Sequence, residues 1–351
     1  MSLDDIKKKL DKIDFQILKL LNTRMELDLK SNKIGKHLED SQLTADVIEK
    51  IRIQSGALIT PQFCEKLFKD IISESKKLPS KGYQLIGFQG DHGAYSEVAS
   101  RIWNKNLIPI PCNEFTEVFS SVTSGLFDFG IVPVENTLGG IVSQVNQLIL
   151  NADLYVIGAI ELSIHHCLLG LPGADHRELR VVYSHYQALE QCHHFLLRNK
   201  LEPVPYYDTA GAAKMLAEKA PKAAAVVASN LCAELYNLEI IKENIEDFNQ
   251  NKTRFLVFAK QENKAAGSKC SIIFSTEHKA GTLFRVLEVF ASKGLNLTRI
   301  ESIPNQLGSF VFFLDFEGSK NDENVVKALE EVKKITTKFR LMGFYDECKE
   351  E

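Results

Sequence analysis

The sequence predicts a multidomain chain of three parts: all-helical at the N-terminus, two-lobed α/β in the middle, and ferredoxin-like α+β at the C-terminus. Three observations predict it. Apolar residues from Leu3 onward recur at three-and-four spacing. From Tyr83 short apolar runs alternate with helical patterns. Beyond a polar stretch at Gln261–Lys269 the order becomes strand, helix, strand, strand, helix, strand. The length of 351 residues agrees, being too great for one ordinary core.

In the first segment Leu3, Ile6, Leu10, Ile13, Ile17 and Leu20 form one stripe, with no glycine or proline before Gly35. Two more helical runs are expected at Ala45–Gln54 and Pro61–Leu78, the latter with Thr60 as N-cap and Pro61 at the first helical position. Pro79–Gly82 breaks the pattern, so residues 1–80 are expected to form a small helical domain. A first helix this long exposes its stripe unless another chain covers it, which predicts dimerisation.

The middle segment, residues 83–260, holds strands QLIGF, FGIVPV, LYVIGAIEL, CLLGL, RVVYS, AAAVVAS and TRFLVFAK, with helices near Ser96–Trp103, Val142–Leu150 and Gln187–Asn199. Such alternation predicts parallel sheets with helices on both faces and ligands outside the carboxyl ends of the strands. The segment is long for one such sheet, so two lobes with a cleft between them are expected. After a linker at Gln261–Lys269, residues 270–347 carry strands CSIIFST, NLTRIES, SFVFFLDF and KFRLMGFYD with helices at Thr282–Lys293 and Glu323–Lys334.

Composition excludes several classes. A net charge of -4, with 44% hydrophobic and 25% charged residues, gives no broad attraction to nucleic acid or an anionic membrane. Seven scattered cysteines without a CxxC pair suggest neither a disulfide framework nor a zinc site, and read as reduced thiols of a cytoplasmic protein. The opening MSLDDIKKKLDKID has no uninterrupted apolar stretch, so neither a signal peptide nor a membrane span is expected there.

Five loops follow strands of the middle segment and concentrate small and polar residues: 90–96, 133–137, 184–187, 208–212 and 251–255. Ser96, Asn136 or Thr137, and Thr209 each stand where a helix can begin, and helix N-termini present free N–H groups to carboxylates. Each loop alone reads as an ordinary cap. Together they would meet at the strand ends and suit a dianionic ligand.

Six motifs in order then carry a resemblance: GFQGDHGAYSE, VPVENTLGG, HCLLGLPG, SHYQALEQC, DTAGAAK and NKTRF. With them the middle segment resembles the prephenate dehydratase family over its whole length. The resemblance implies a two-lobed, periplasmic-binding-protein-like fold and conversion of prephenate to phenylpyruvate, with loss of water and carbon dioxide and no cofactor or metal. It makes Thr253 the catalytic threonine at the departing hydroxyl, with Glu135 and Asn136 at the reacting ring. Ala94, Tyr95, Ser96, Thr137, Ser184, Gln187, Thr209, Ala210 and Gly211 would hold the carboxylates, with Phe255 beside them. Arg254 would add charge or brace the cleft. Tyr186 stands where the family usually has proline.

The C-terminal segment resembles the ACT domains that bind phenylalanine in this family, through Gly281-Thr282-Leu283-Phe284 and the stretch from Asn296 to Pro304. Gly281, Thr282, Leu283, Glu301 and Ser302 would form the effector site, generally between two such domains, so a homodimer or homotetramer is expected. Ile303 stands where arginine is usual. The helical segment resembles the AroQ-type chorismate mutase domain. In an ungapped comparison only Arg24 matches a family arginine; Lys7 stands for another, Gly35 for the catalytic lysine, and Val47 and Ile48 for an Arg-Glu pair, while Lys33 and Lys36 flank the lost lysine. On that reading the domain is degenerate, mutase activity is absent, and assembly is its role.

His165 and His166 are read as non-catalytic, because neighbours on a strand face opposite ways and no ligand set accompanies them. Helical His193 and His194 are read likewise as surface or packing residues. Two alternatives stand beside the dehydratase: a bifunctional chorismate mutase/prephenate dehydratase, and a non-catalytic two-lobed binder or sensor.

Overall fold

In a computed structural model, residues 3–35, 41–54, 56, 58–304 and 310–349 are described. Lys36 lies outside them. The chain divides into two compact units, residues 1–84 with Gly125–Phe127, and the remainder.

The first unit is helical: α1 (Leu3–Lys33), α2 (Ser41–Gln54) and α3 (Pro61–Lys77). Thr60 caps α3 as its sequence predicts, accepting the Phe63 N–H at 3.3 Å, with Pro61 opening the helix. On α1 the stripe residues Leu3, Leu10, Ile13, Ile17 and Leu20 are all at least half exposed.

The second unit begins with β1 (Leu85–Gln89), α4 (Tyr95–Trp103), β2 (Ile108–Cys112), α5 (Phe115–Ser124), β3 (Phe129–Asn136), β4 (Gly140–Ile141), α6 (Ser143–Asn151) and β5 (Tyr155–Ser163). A second lobe follows with β6 (Cys167–Gly170), β7 (Val181–His185), α7 (Tyr186–Gln191), α8 (His193–Arg198), β8 (Glu202–Tyr206), α9 (Thr209–Lys219), β9 (Ala224–Ala228), α10 (Asn230–Tyr236) and β10 (Glu239–Lys242). The chain then returns to the first lobe as β11 (Lys252–Ala259).

Both sheets are mixed rather than parallel. In the first lobe β1 pairs parallel with β2 and β3, but the returning β11 enters antiparallel between β3 and β5. In the second, ordered β10-β6-β9-β7-β8, β6 runs antiparallel to both neighbours. Purely parallel pairing fails because the chain crosses between lobes twice, and each crossing reverses a strand. The helix expected over Gln187–Asn199 is two pieces that break at buried Cys192, where the Asp247 carboxylate accepts the His194 N–H at 3.0 Å.

The last part contains β12 (Lys269–Ser275), α11 (Thr282–Ser292), β13 (Leu297–Pro304), β14 (Phe310–Glu317), α12 (Glu323–Ile335), β15 (Lys338–Tyr345) and β16 (Glu347–Lys349). Its antiparallel sheet, ordered β13-β14-β12-β15, packs Ile272, Phe274, Leu314 and Phe316 against Val286, Phe290 and Val325 of the two helices. The polar linker is pinned rather than loose: Ser268 N–H donates to Tyr345 O and Lys320 N–H to Ala266 O. Strand β16 joins the first lobe's sheet, parallel to β5, so the chain end fastens the C-terminal sheet to the middle segment.

Candidate active site and its relatives

A cavity of about 280 Å³ opens between the two lobes of the second unit. Of the residues the sequence singled out, Ala94, Tyr95, Ser96, Asn136, Gln187, Thr209, Thr253 and Phe255 line it. They come from the start of α4, the ends of β3 and β11, α7 and the start of α9. The loop before α4 is held by Glu97, which is fully buried and takes Gly93 N–H at 2.8 Å, His92 Nδ1 at 3.1 Å and Arg101 Nη2 at 2.6 Å. Burial pushes the Glu97 carboxyl up, but His92, Gly93 N–H and Arg101 outweigh it and hold it below the usual range. Across the cleft Asp208 rather than Thr209 is the N-cap of α9, its carboxylate accepting Gly211 N–H at 3.4 Å and Asp91 N–H at 3.1 Å.

Thr253 and Asn136 are paired residues on β11 and β3. Asn136 Nδ2 donates to Thr253 Oγ1 at 2.9 Å and to Asn251 Oδ1 at 2.8 Å. Its Oδ1 accepts Leu138 N–H at 3.0 Å and Gly139 N–H at 2.6 Å. Asn136 is thereby locked, and Thr253 accepts from it, which leaves the Thr253 O–H free to point into the cavity.

Six expected site residues lie elsewhere. Glu135 and Arg254, next in chain to Asn136 and Thr253, face away from the cleft because successive strand residues alternate. They line a separate space of about 190 Å³ with Thr137, Lys252, Arg299 and Glu347. There Arg254 forms ion pairs with Asp315 and Glu347 and donates to Tyr345 OH at 3.1 Å, so its geometry braces the seam to the C-terminal sheet. Glu135 approaches Arg299 Nε at 3.9 Å. Thr137 Oγ1 donates to Gln250 O at 3.2 Å. Ser184 is fully buried, donating to Val227 O at 2.6 Å. Ala210 and Gly211 lie buried in the first turn of α9.

Sequence reasoning gave no role to cavity residues Gln89, Gln191 and Tyr207, none to His185 and Asp208 although both lie in loops it singled out, and it read His166 as non-catalytic. His166 lies between β5 and β6, outside both strands, so the alternation argument did not apply to it. Gln191 was findable, since it stands one helical turn from Gln187 on α7. His165 bonds Glu246, and His194 Nδ1 stands 3.1 Å from Asp247 Oδ2.

In the C-terminal part a second pocket, about 380 Å³, includes Gly281, Thr282 and Leu283. Gly281 is left-handed (φ 82°), a conformation that favours glycine, and the Thr282 hydroxyl lies within hydrogen-bond reach of Glu277 O at 2.8 Å and Lys279 O at 2.9 Å. Glu301 and Ser302 lie on edge strand β13 and do not line this pocket within one chain. In the helical unit Lys7 is exposed, and Arg24 Nη1 donates to Asp28 Oδ2 at 2.7 Å and to Ser75 Oγ at 2.5 Å. Among the described residues no group of acidic, histidine or cysteine side chains is arranged to hold a metal, and no helix is long and apolar enough to cross a membrane.

These features define a two-lobed α/β unit with a hydroxyl-and-amide cleft, joined to a ferredoxin-like domain and preceded by helices. The chain belongs to the prephenate dehydratase family. The profile of that family matches residues 86–263, that of the ACT domain 271–334 and that of type II chorismate mutase 6–79. A bifunctional chorismate mutase/prephenate dehydratase of Aquifex aeolicus is 34% identical over 98% of this chain and 97% of its own. An arogenate dehydratase/prephenate dehydratase of Arabidopsis thaliana is 35% identical over 87% of this chain and 82% of its own. Among solved structures, prephenate dehydratase of Arthrobacter aurescens in complex with L-Phe matches at TM-score 0.69 and 28% identity, covering 75% of this chain and 89% of that one. GqqA, described as a novel type of quorum quenching acylase, matches at 0.71 and 31%, covering 76% and 98%.

One expectation is overturned. The helical segment was expected to lack chorismate mutase activity, whereas the mutase profile spans residues 6–79 and the Aquifex relative, similar along nearly the whole chain, is bifunctional. The ungapped comparison carried one register across the junction between α1 and α2. A register one residue out there places every later comparison about 100° away around the helix, so Val47 and Ile48 are poor witnesses to loss.

Proposed function

We propose that this chain is a bifunctional chorismate mutase/prephenate dehydratase whose dehydratase is regulated by phenylalanine. The observation that carries the dehydratase reading is the Asn136–Thr253 pair inside the interlobe cavity. Prephenate loses its ring carboxylate and C4 hydroxyl as the ring aromatises, so the site's task is to help the oxygen leave. Thr253 O–H donates to that oxygen, and Asn136, fixed by two backbone N–H groups, holds the threonine in place. The starts of α4 and α9, with Ser96, Gln187 and Thr209, receive the carboxylates.

The mutase reading rests on the helical profile match and on the Aquifex relative's likeness along the full chain. Arg24 is its carboxylate ligand, and the exposed stripe of α1 is the face through which two copies of the chain assemble. Phenylalanine regulation is supported by the ACT profile, the Gly281 pocket and the L-Phe complex of the Arthrobacter enzyme. The effector site is completed between two ACT domains by Glu301 and Ser302. Purified protein given prephenate should release phenylpyruvate; unchanged prephenate would sink the dehydratase reading.

A further inference from the structure

The cleft has a charge problem. Among the described residues no lysine or arginine lines the cavity; Asp208 adds a carboxylate, and His166 and His185 are the only side chains there able to become cationic. Helix N-termini supply roughly half a positive charge each, so α4 and α9 together offset about one of the two negative charges of a bound dianion. The remaining charge has no lysine or arginine beside it in the cavity.

The hydrogen-bond chain behind the cleft shows which group can supply it. Asn136 is oriented by backbone N–H donors at its Oδ1, so its Nδ2 must donate to Asn251 Oδ1. Asn251 Nδ2 therefore donates to Gln191 Oε1 at 3.0 Å. That same Gln191 oxygen lies 2.9 Å from His166 Nε2, which fixes the hydrogen of His166 on Nε2. His166 Nδ1 then faces Tyr95 OH at 2.7 Å, while that hydroxyl also reaches His165 O at 2.7 Å. With His166 neutral, the single Tyr95 proton satisfies one acceptor and leaves the other bare. With His166 protonated, Nδ1–H donates to the Tyr95 oxygen, Tyr95 O–H donates to His165 O, and Nε2–H donates to Gln191. Every group is then satisfied.

We infer that His166 takes up a proton as a dianionic substrate binds and serves as the cation of the cleft, with Tyr95 as its neutral partner. The inference rests on the dehydratase reading and assigns that site its missing charge. The groups around His166 are Tyr95 from α4, Gln191 from α7, its chain neighbours His165 and Cys167, and Glu246, which accepts His166 N–H at 2.9 Å. Asp208, Tyr207 and His185 line the same cavity. Burial pushes the imidazole below its ordinary value, the bond to Gln191 and the charge of Glu246 opposing it, so the proton arrives with the substrate's charge. Burial pushes Tyr95 well above its ordinary value, which keeps its hydroxyl protonated throughout.

The test is calorimetry with prephenate of full-length protein carrying Thr253→Ala together with Arg24→Ala, the latter to remove prephenate binding at the proposed mutase site, in phosphate and in Tris buffer near neutral pH. The difference in heat should report uptake of about one proton per bound prephenate, and adding His166→Gln should remove it. In the Thr253-intact enzyme, kcat should fall about tenfold per pH unit above the apparent pKa of the complex, and His166→Gln should flatten that limb. The profile of the unaltered enzyme stands even if the variants do not fold. Binding without proton uptake, or a kcat flat to alkaline pH, overturns the inference while leaving the dehydratase intact. Prephenate neither bound nor consumed removes the dehydratase reading, and this inference with it.

Discussion

Arg254 and Thr253 are neighbours on β11 with opposite destinations: Thr253 lines the interlobe cavity, while Arg254 is ion-paired with Asp315 and Glu347 at the seam with the C-terminal sheet. One strand thus ties the proposed catalytic hydroxyl to the ACT domain. Register extends the relationship, since Asn136 opposite Thr253 faces the cleft and Glu135 opposite Arg254 faces Arg299.

Replacing Arg254 by alanine leaves Asp315 buried without its partner. The expected cost is about 3 to 5 kcal/mol of stability, the range for breaking a buried pair, read by chemical denaturation. Faster proteolysis between residues 261 and 268 should accompany it, and prephenate turnover should lose its response to phenylalanine. Unchanged stability and regulation would leave the seam without the role given to it.

Thr253→Ala should lower kcat for prephenate by roughly 10² to 10³ with the circular dichroism spectrum unchanged, the loss typical of one donor to a developing oxyanion. Near-normal turnover by folded protein would take the hydroxyl out of the mechanism.

The seam should loosen in acid. Burial raises the Glu347 carboxyl, but the charge of Arg254 and bonds from Lys269 and Arg254 outweigh it and hold it below its ordinary 4.5. A carboxyl depressed in the folded state contributes stability above its unfolded value, and that contribution is lost as pH falls through the lowered value. Denaturation midpoints should therefore decline below about pH 4.5, and less steeply in Glu347→Gln. Parallel declines in the two proteins would contradict this.

Gly281→Val should abolish phenylalanine binding by calorimetry while sparing prephenate turnover, because a β-branched residue is strained in the left-handed conformation there (φ 82°). Retained binding would move the effector site away from the Gly281 turn.

Much of the fold was legible because its signals are local. Thr60 and Pro61 announced α3, and Thr253, Gln187 and Ser96 sat in motifs whose loops the topology brings together. What escaped was non-local or disguised. Strands β2 and β8 each contain two prolines, which hide the strand pattern, and both lie at sheet edges where missing N–H groups are tolerated. Strand β16 is three residues long with charged Glu347 and Lys349 at its ends, and only its pairing with β5 makes it a strand. Glu135 and Arg254 were assigned to the cleft because motif membership was given more weight than alternation along the strand. The mutase domain was judged on a few positions compared without gaps, whereas the family profile spans residues 6–79 as a whole.

The most direct test of the account supplies chorismate alone to the purified full-length protein and follows chorismate, prephenate and phenylpyruvate through time. The account predicts that chorismate falls, prephenate rises and then declines, and phenylpyruvate accumulates; Arg24→Ala should slow only the first step and Thr253→Ala only the second. Chorismate left unchanged by protein that consumes added prephenate would contradict the bifunctional assignment.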